Sequence, residues 1–97
     1  MTQTNAVERL DLLLGYLEAD PDNQPLLADA ADAALAARQP DQAIALLDRV
    51  AAARELNDGE LHILGLAALQ SNEPERASAI FRSLLDRGHE EPAVRFN

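Results

Sequence analysis

The stretch "YLEADPDNQP", residues 16–25, separates two apolar runs and decides how the chain is read. Asp20-Pro21 stops the first run, because the residue before a proline is pushed out of the helical region. Asp22, Asn23 and Pro25 follow, and a second apolar run begins at once. Such a break is either an ordinary interhelical turn or the join between two units of a repeat. The helices on either side decide between these.

Upstream, Val7, Leu10, Leu13, Leu14 and Leu17 fall on one face at helical spacing. Asn5 with Glu8 reads as a capping box opening that helix, which should run to about Ala19. Downstream, a second helix begins near Pro25, carries Leu27, Ala30, Ala31, Ala34 and Leu35, and ends around Arg38. Pro40 suits the first turn of a third helix, where its missing N–H costs nothing. That helix carries Ala43, Ile44, Leu47, Val50 and Ala51 and ends near Arg54. Asn57 with Glu60 forms another capping box, opening a fourth helix that runs to about Gln70. Pro74 opens a fifth, carrying Ala77, Ile80, Phe81, Leu84 and Leu85, with Arg87-Gly88 as its expected C-cap. Glu91-Pro92 reads as one more helix start.

Composition agrees with an all-α chain. Of the 97 residues 47% are apolar but only 3% aromatic, so the core must be built from Leu and Ala, both strong helix formers. The net charge is −9 and all eight basic residues are Arg. Nucleic acid and acidic membrane surfaces are therefore poor partners, since both require clustered positive charge. A basic or apolar protein segment fits better. The absence of Cys removes disulfides, thiolate zinc sites and a Cys nucleophile; the absence of Lys removes Schiff-base and phosphate-loop chemistry. The first residues carry no signal-peptide pattern and no apolar stretch reaches spanning length, which sets a cytoplasmic expectation.

Sliding the chain along itself until Leu27 falls on Leu61 aligns its two middle hairpins. Ala31 then falls on Gly65, Ala34 on Ala68 and Leu35 on Leu69. Through the turn and the next helix, Pro40 falls on Pro74, Ala43 on Ala77, Leu47 on Phe81 and Val50 on Leu84. The matching positions are those that burial and size restrict. A register kept through two helices and their turn points to a repeat.

This register resembles the tetratricopeptide repeat (TPR) family. Small residues stand where that family crosses its two helices closely: Ala31 and Ala43 in one unit, Gly65 and Ala77 in the next. "YLEADPDN" (16–23) falls where the family closes a unit with an "ALELDPNN" pattern. Three features depart from it, one being that the second unit has His89-Glu90-Glu91 where the closing Pro would stand. Leu27 and Leu61 stand where a large aromatic is frequent, and Arg38 and Asn72 where the turn usually has Gly. Arg is the less comfortable of the two in a left-handed conformation. Related helical-hairpin repeats, Sel1-like among them, share the plan, and the step from Leu27 to Leu61 favours the TPR period over longer ones.

The resemblance implies a right-handed α-solenoid of antiparallel helix pairs, about five helices in one domain. Residues 6–20 would be an N-terminal half-unit, 24–57 and 58–91 two full repeats, and 92–97 the start of a third. It further implies a protein-interaction scaffold whose first helices line a concave groove holding a peptide or helix of a partner. The positions carried over are Ala28, Asp32, Leu35, Ala36, His62, Leu66, Leu69, Gln70 and Phe96. The fourth helix supports this independently, since His62, Leu66 and Leu69 share a face away from Leu61, Leu64, Gly65 and Ala68. A helix apolar on two sides is usually covered on two sides, by a partner, a next unit or a neighbouring copy. The basic clamp with which some family members grip C-terminal carboxylates is not present at Ala28, Asp32, His62 and Leu66.

No catalytic, metal or cofactor motif stands out. His62 and Asp32 could face each other across adjacent helices, but no nucleophile accompanies them. His89-Glu90-Glu91 reads as a solvated loop, because adjacent turn residues seldom converge on one ion. Phe81, Leu84 and Leu85 should lack their usual cover at the end of the chain. That leaves two expectations, a piece of a longer array or a homodimer through the open C-terminal end. A structural spacer or self-association element with no ligand of its own is the alternative to the binding scaffold.

Overall fold

The computed structural model describes the backbone of residues 2–96 and the side chains of residues 5–87. Among these residues the chain is all-helical: α1 (Thr2–Ala19), α2 (Gln24–Ala36), α3 (Pro40–Ala53), α4 (Asp58–Gln70) and α5 (Pro74–Phe96). The second, third and fourth helices and the start of the fifth fall where pattern and caps place them.

The local chemistry explains these boundaries. Asn23 caps α2 by accepting the Leu26 N–H on its side-chain oxygen at 3.1 Å, and its own amide donates to Asp20 Oδ2 at 3.0 Å. Asn57 caps α4 by a full capping box: Oδ1 accepts the Glu60 N–H at 2.8 Å, and the Asn57 N–H donates to Glu60 Oε1 at 3.0 Å. The two caps stand at the same repeat position, as do the first and last residues of α2 and α4. So do the helix ends. Arg38 and Asn72 adopt left-handed φ values of 63° and 64°. At each, this residue's N–H and the next fold back onto the helix. Arg38 and Gln39 donate to the Leu35 and Ala34 carbonyls, and Asn72 and Glu73 to those of Leu69 and Ala68. This is a Schellman-type closure, and Pro40 or Pro74 then starts the next helix. Arg38 therefore takes the left-handed position despite the steric cost to a side chain with a Cβ.

Three expected boundaries are corrected. Asn5 lies inside α1 and caps nothing, because the helix already starts at Thr2. A capping pattern permits a start but does not force one, and no helix breaker precedes Asn5. Gly88 does not end α5, nor does Pro92 begin a new helix; α5 runs on to Phe96. A glycine costs a helix about 1 kcal/mol and a proline one backbone hydrogen bond and a bend, and neither compels termination. The extra helix expected at 92–97 is thus the tail of α5. Side chains from Gly88 onward, including the His89-Glu90-Glu91 stretch and the groove candidate Phe96, lie outside the described residues.

Each helix packs on its neighbours in the chain, and α2 also meets α4. The helical body measures 46 × 26 × 24 Å. Its core is Leu- and Ala-built, with Leu10, Leu27, Ala30, Ala31, Ala34, Ala43, Leu47, Val50, Ala67 and Ala68 at most 2% exposed. The close-crossing positions Ala31, Ala43, Gly65 and Ala77 are all buried. Gly65 shows why size matters: a Cβ there would lie 2.7 Å from Cζ of Phe81. Ala51, placed on the buried face of α3 by periodicity, is exposed, and Leu46 is buried instead. Flanked by α2 and α4, α3 buries a stripe shifted from the one that a single neighbour would cover. Phe81 and Leu84 are half-buried rather than uncovered, whereas Leu85 is 72% exposed.

Candidate functional site

The groove candidates follow from the packing of α2 beside α4. Because the two helices share length and register, Ala28 corresponds to His62, Asp32 to Leu66, Leu35 to Leu69 and Ala36 to Gln70. Three of these residues, Leu35, Ala36 and Gln70, line one open depression of about 510 Å³ together with Arg38 and Pro40. It sits at the C-terminal ends of α2 and α4, where the left-handed turn at Arg38 brings that side chain and the Pro40 ring to its wall. Leu69 is 52% exposed, an unusual surface position for a large apolar side chain. Leu66 and Ala28 are half-buried, while Asp32, Ala36, His62 and Gln70 are exposed.

Arg38 and Pro40 are not among the residues that repeat position selects. They belong to the turn rather than to the helix that a groove assignment follows. Their signal is the left-handed closure that brings the turn back over the helix end. Among the described ion pairs Arg38 takes no part, so its guanidinium is the charged group available at the depression.

The expected meeting of His62 and Asp32 does not occur. Asp32 instead accepts from Arg9 of α1 at 3.5 Å, and the His62 ring meets Phe81 edge-on with centroids 6.1 Å apart. The register brings α2 and α4 together, but side-chain length and the available cation choose the partner. Among the described residues no group of three or more His, Asp or Glu side chains could hold a metal ion. No described helix is long and apolar enough to cross a membrane.

A second polar cluster ties three segments together. At the end of α3, Arg54 grips Glu60 with both terminal nitrogens, at 2.8 and 2.7 Å, and its Nε donates to Gln24 at 3.1 Å. Glu60 is only 6% exposed. The Arg54 hydrogen bonds hold its carboxyl below the usual carboxylate range; burial opposes this, and the Asn57 N–H adds to the lowering. With every buried polar side-chain atom partnered among the described residues, this cluster is structural.

No protein-family model, curated protein or solved structure matches the chain.

Proposed function

We propose that the chain is a TPR-type right-handed solenoid serving as a non-catalytic protein-interaction module. In this reading 6–20 is a half-unit and 24–57 and 58–91 are full repeats. The repeat reading is supported by the recurrence, at one fixed displacement, of the Asn cap, the 13-residue helix, the left-handed residue and the opening proline. It is supported also by the ladder of contacts, in which the first helices of the two units touch. The groove runs along α2 and α4 and takes an extended peptide or a helix of a partner protein. The observation that carries this reading is exposed Leu69 on the same paired helices as the depression lined by Leu35, Ala36, Arg38, Pro40 and Gln70. The net charge of −9 disfavours nucleic acid and an acidic membrane, and because the charged group at the depression is Arg38, the ligand segment meets it with apolar rather than basic residues, any basic residues lying on the acidic surface outside it.

Peptides selected from a random displayed library against this chain test the reading by calorimetry. Leu69→Glu, at an exposed site, should leave the fold intact and weaken selected peptides at least tenfold. Equal binding by Leu69→Glu would refute the groove. Failure to select any peptide would favour the spacer role.

A further inference from the structure

The outer face of α1 is uncovered, and the repeat register shows what shape of partner it fits. In that register α1 corresponds to α3: Arg9 to Ala43, Leu12 to Leu46, Leu13 to Leu47 and Tyr16 to Val50. On α3 all four positions are buried, at 0–3% exposure. On α1, Leu12 is 57% and Tyr16 53% exposed, Leu13 is half-buried and Arg9 is exposed. The packing explains the difference. Both α2 and α4 flank α3, whereas α1 contacts α2 alone, in the place that α4 takes on α3. The uncovered stripe on α1 is therefore the one that α2 covers on α3. A helix lying antiparallel to α1 would cover it, with small residues along its seam as α2 has in Ala30, Ala31, Ala33 and Ala34. Gly15 beside this stripe leaves open space, with nothing within 4 Å of where a Cβ would lie, so a helix can approach closely.

Charge decides which helix. Glu8, one turn before Leu12, and Asp20, one turn after Tyr16, border the stripe, are exposed, and enter none of the described ion pairs, Asp20 accepting only the Asn23 amide at 3.0 Å. The one base there, Arg9, is held by Asp32 at 3.5 Å. A second copy would bring the same carboxylates against this rim, on a body of net charge −9. We infer that the Leu12–Tyr16 face of α1 docks a basic amphipathic helix of another protein, its alanine-rich seam on Leu12, Leu13 and Tyr16 and its cations on Glu8 and Asp20.

The probe is a fluorescent stapled helix carrying residues 24–38 with Lys in place of Asp29 and Asp32, beside the same peptide with both Asp retained. The basic helix should bind saturably, one per chain, and at least tenfold tighter than the acidic one at low salt. Leu12→Glu/Tyr16→Glu, both at exposed sites, should keep the wild-type circular dichroism and weaken the basic helix at least tenfold. Leu69→Glu should bind it as wild type, which separates this face from the α2–α4 groove. Three results would overturn the inference: no saturable binding, binding unchanged in the Leu12→Glu/Tyr16→Glu variant, or sedimentation showing a dimer that this variant abolishes.

Discussion

Replacing Gly65 by Ala tests how closely α4 and α5 must approach. The added Cβ would lie 2.7, 2.9 and 3.2 Å from three atoms at the tip of the Phe81 ring. Carbon atoms rest at about 3.5–4.0 Å, so the ring must swing or the helices must part. Overpacking of this kind costs about 1–3 kcal/mol. Alanine returns about 1 kcal/mol through its better helix propensity. The net loss is about 0–2 kcal/mol, a fall in Tm of up to roughly 10 °C for a domain of this size. The sharper test is the background. Phe81→Leu removes the ring atoms that clash, and combined with Gly65→Ala it makes the α4–α5 pair match Ala31 and Leu47, which α2 and α3 bury fully at the corresponding positions. In that background Gly65→Ala should stabilise by about 1 kcal/mol, the propensity term alone. Urea unfolding of the four proteins closes the double-mutant cycle. A Gly65→Ala effect of the same sign and size in both backgrounds would refute the close-crossing argument.

Further outcomes follow from the caps and the buried ion pair. Arg38→Gly should raise stability by about 0.5–1 kcal/mol in urea unfolding, because relief of left-handed strain exceeds the entropy cost of glycine. Asn72→Ala should lower it by about 1 kcal/mol at the corresponding turn, since Ala lacks the tolerance of Asn for that conformation. Glu60→Gln should cost about 1–3 kcal/mol at pH 7, the value of hydrogen bonds to a charged group. Because Arg54 holds the Glu60 carboxyl low, its contribution is complete above the unfolded value of 4.5 and lost as pH falls through the folded one. Thermal melts from pH 7 to pH 3 should therefore show a shallower acid limb for Glu60→Gln than for the wild type.

The helical plan is legible from short-range signals. Periodicity, proline at Pro40 and Pro74, and the Asn57–Glu60 box act within one or two turns, and the structure follows them. Short-range signals also fail in a characteristic way. Asn5 and Gly88 carry cap chemistry, yet a cap lowers the cost of a helix end without forbidding its continuation. The Asn23 cap is visible only through the register, which sets it on Asn57, because its proline-rich surroundings read first as a turn. What the linear pattern does not contain is pairing between distant segments. Arg54 reaching Gln24 and Glu60, Arg9 taking Asp32, and Leu56 buried in the α3–α4 connection depend on where three backbones meet. For the groove, the register supplies neighbouring positions on α2 and α4, but the turn residues that wall the depression emerge only with the left-handed closure.

The ladder of contacts has a kinetic consequence. Every helix pair in contact is adjacent in sequence, apart from α2 with α4, so ordering the chain closes only short loops. Folding should be fast for that reason, in the microsecond-to-millisecond range of helical domains. Opening should be graded rather than all-or-none. In α2 and α4, each held by three neighbours, amide hydrogens should exchange slowest, and protection should fall through α3, held by two, to α1 and α5, each held by one. The chain should therefore loosen from its end helices, and a partner seated on one of them should slow exchange there first.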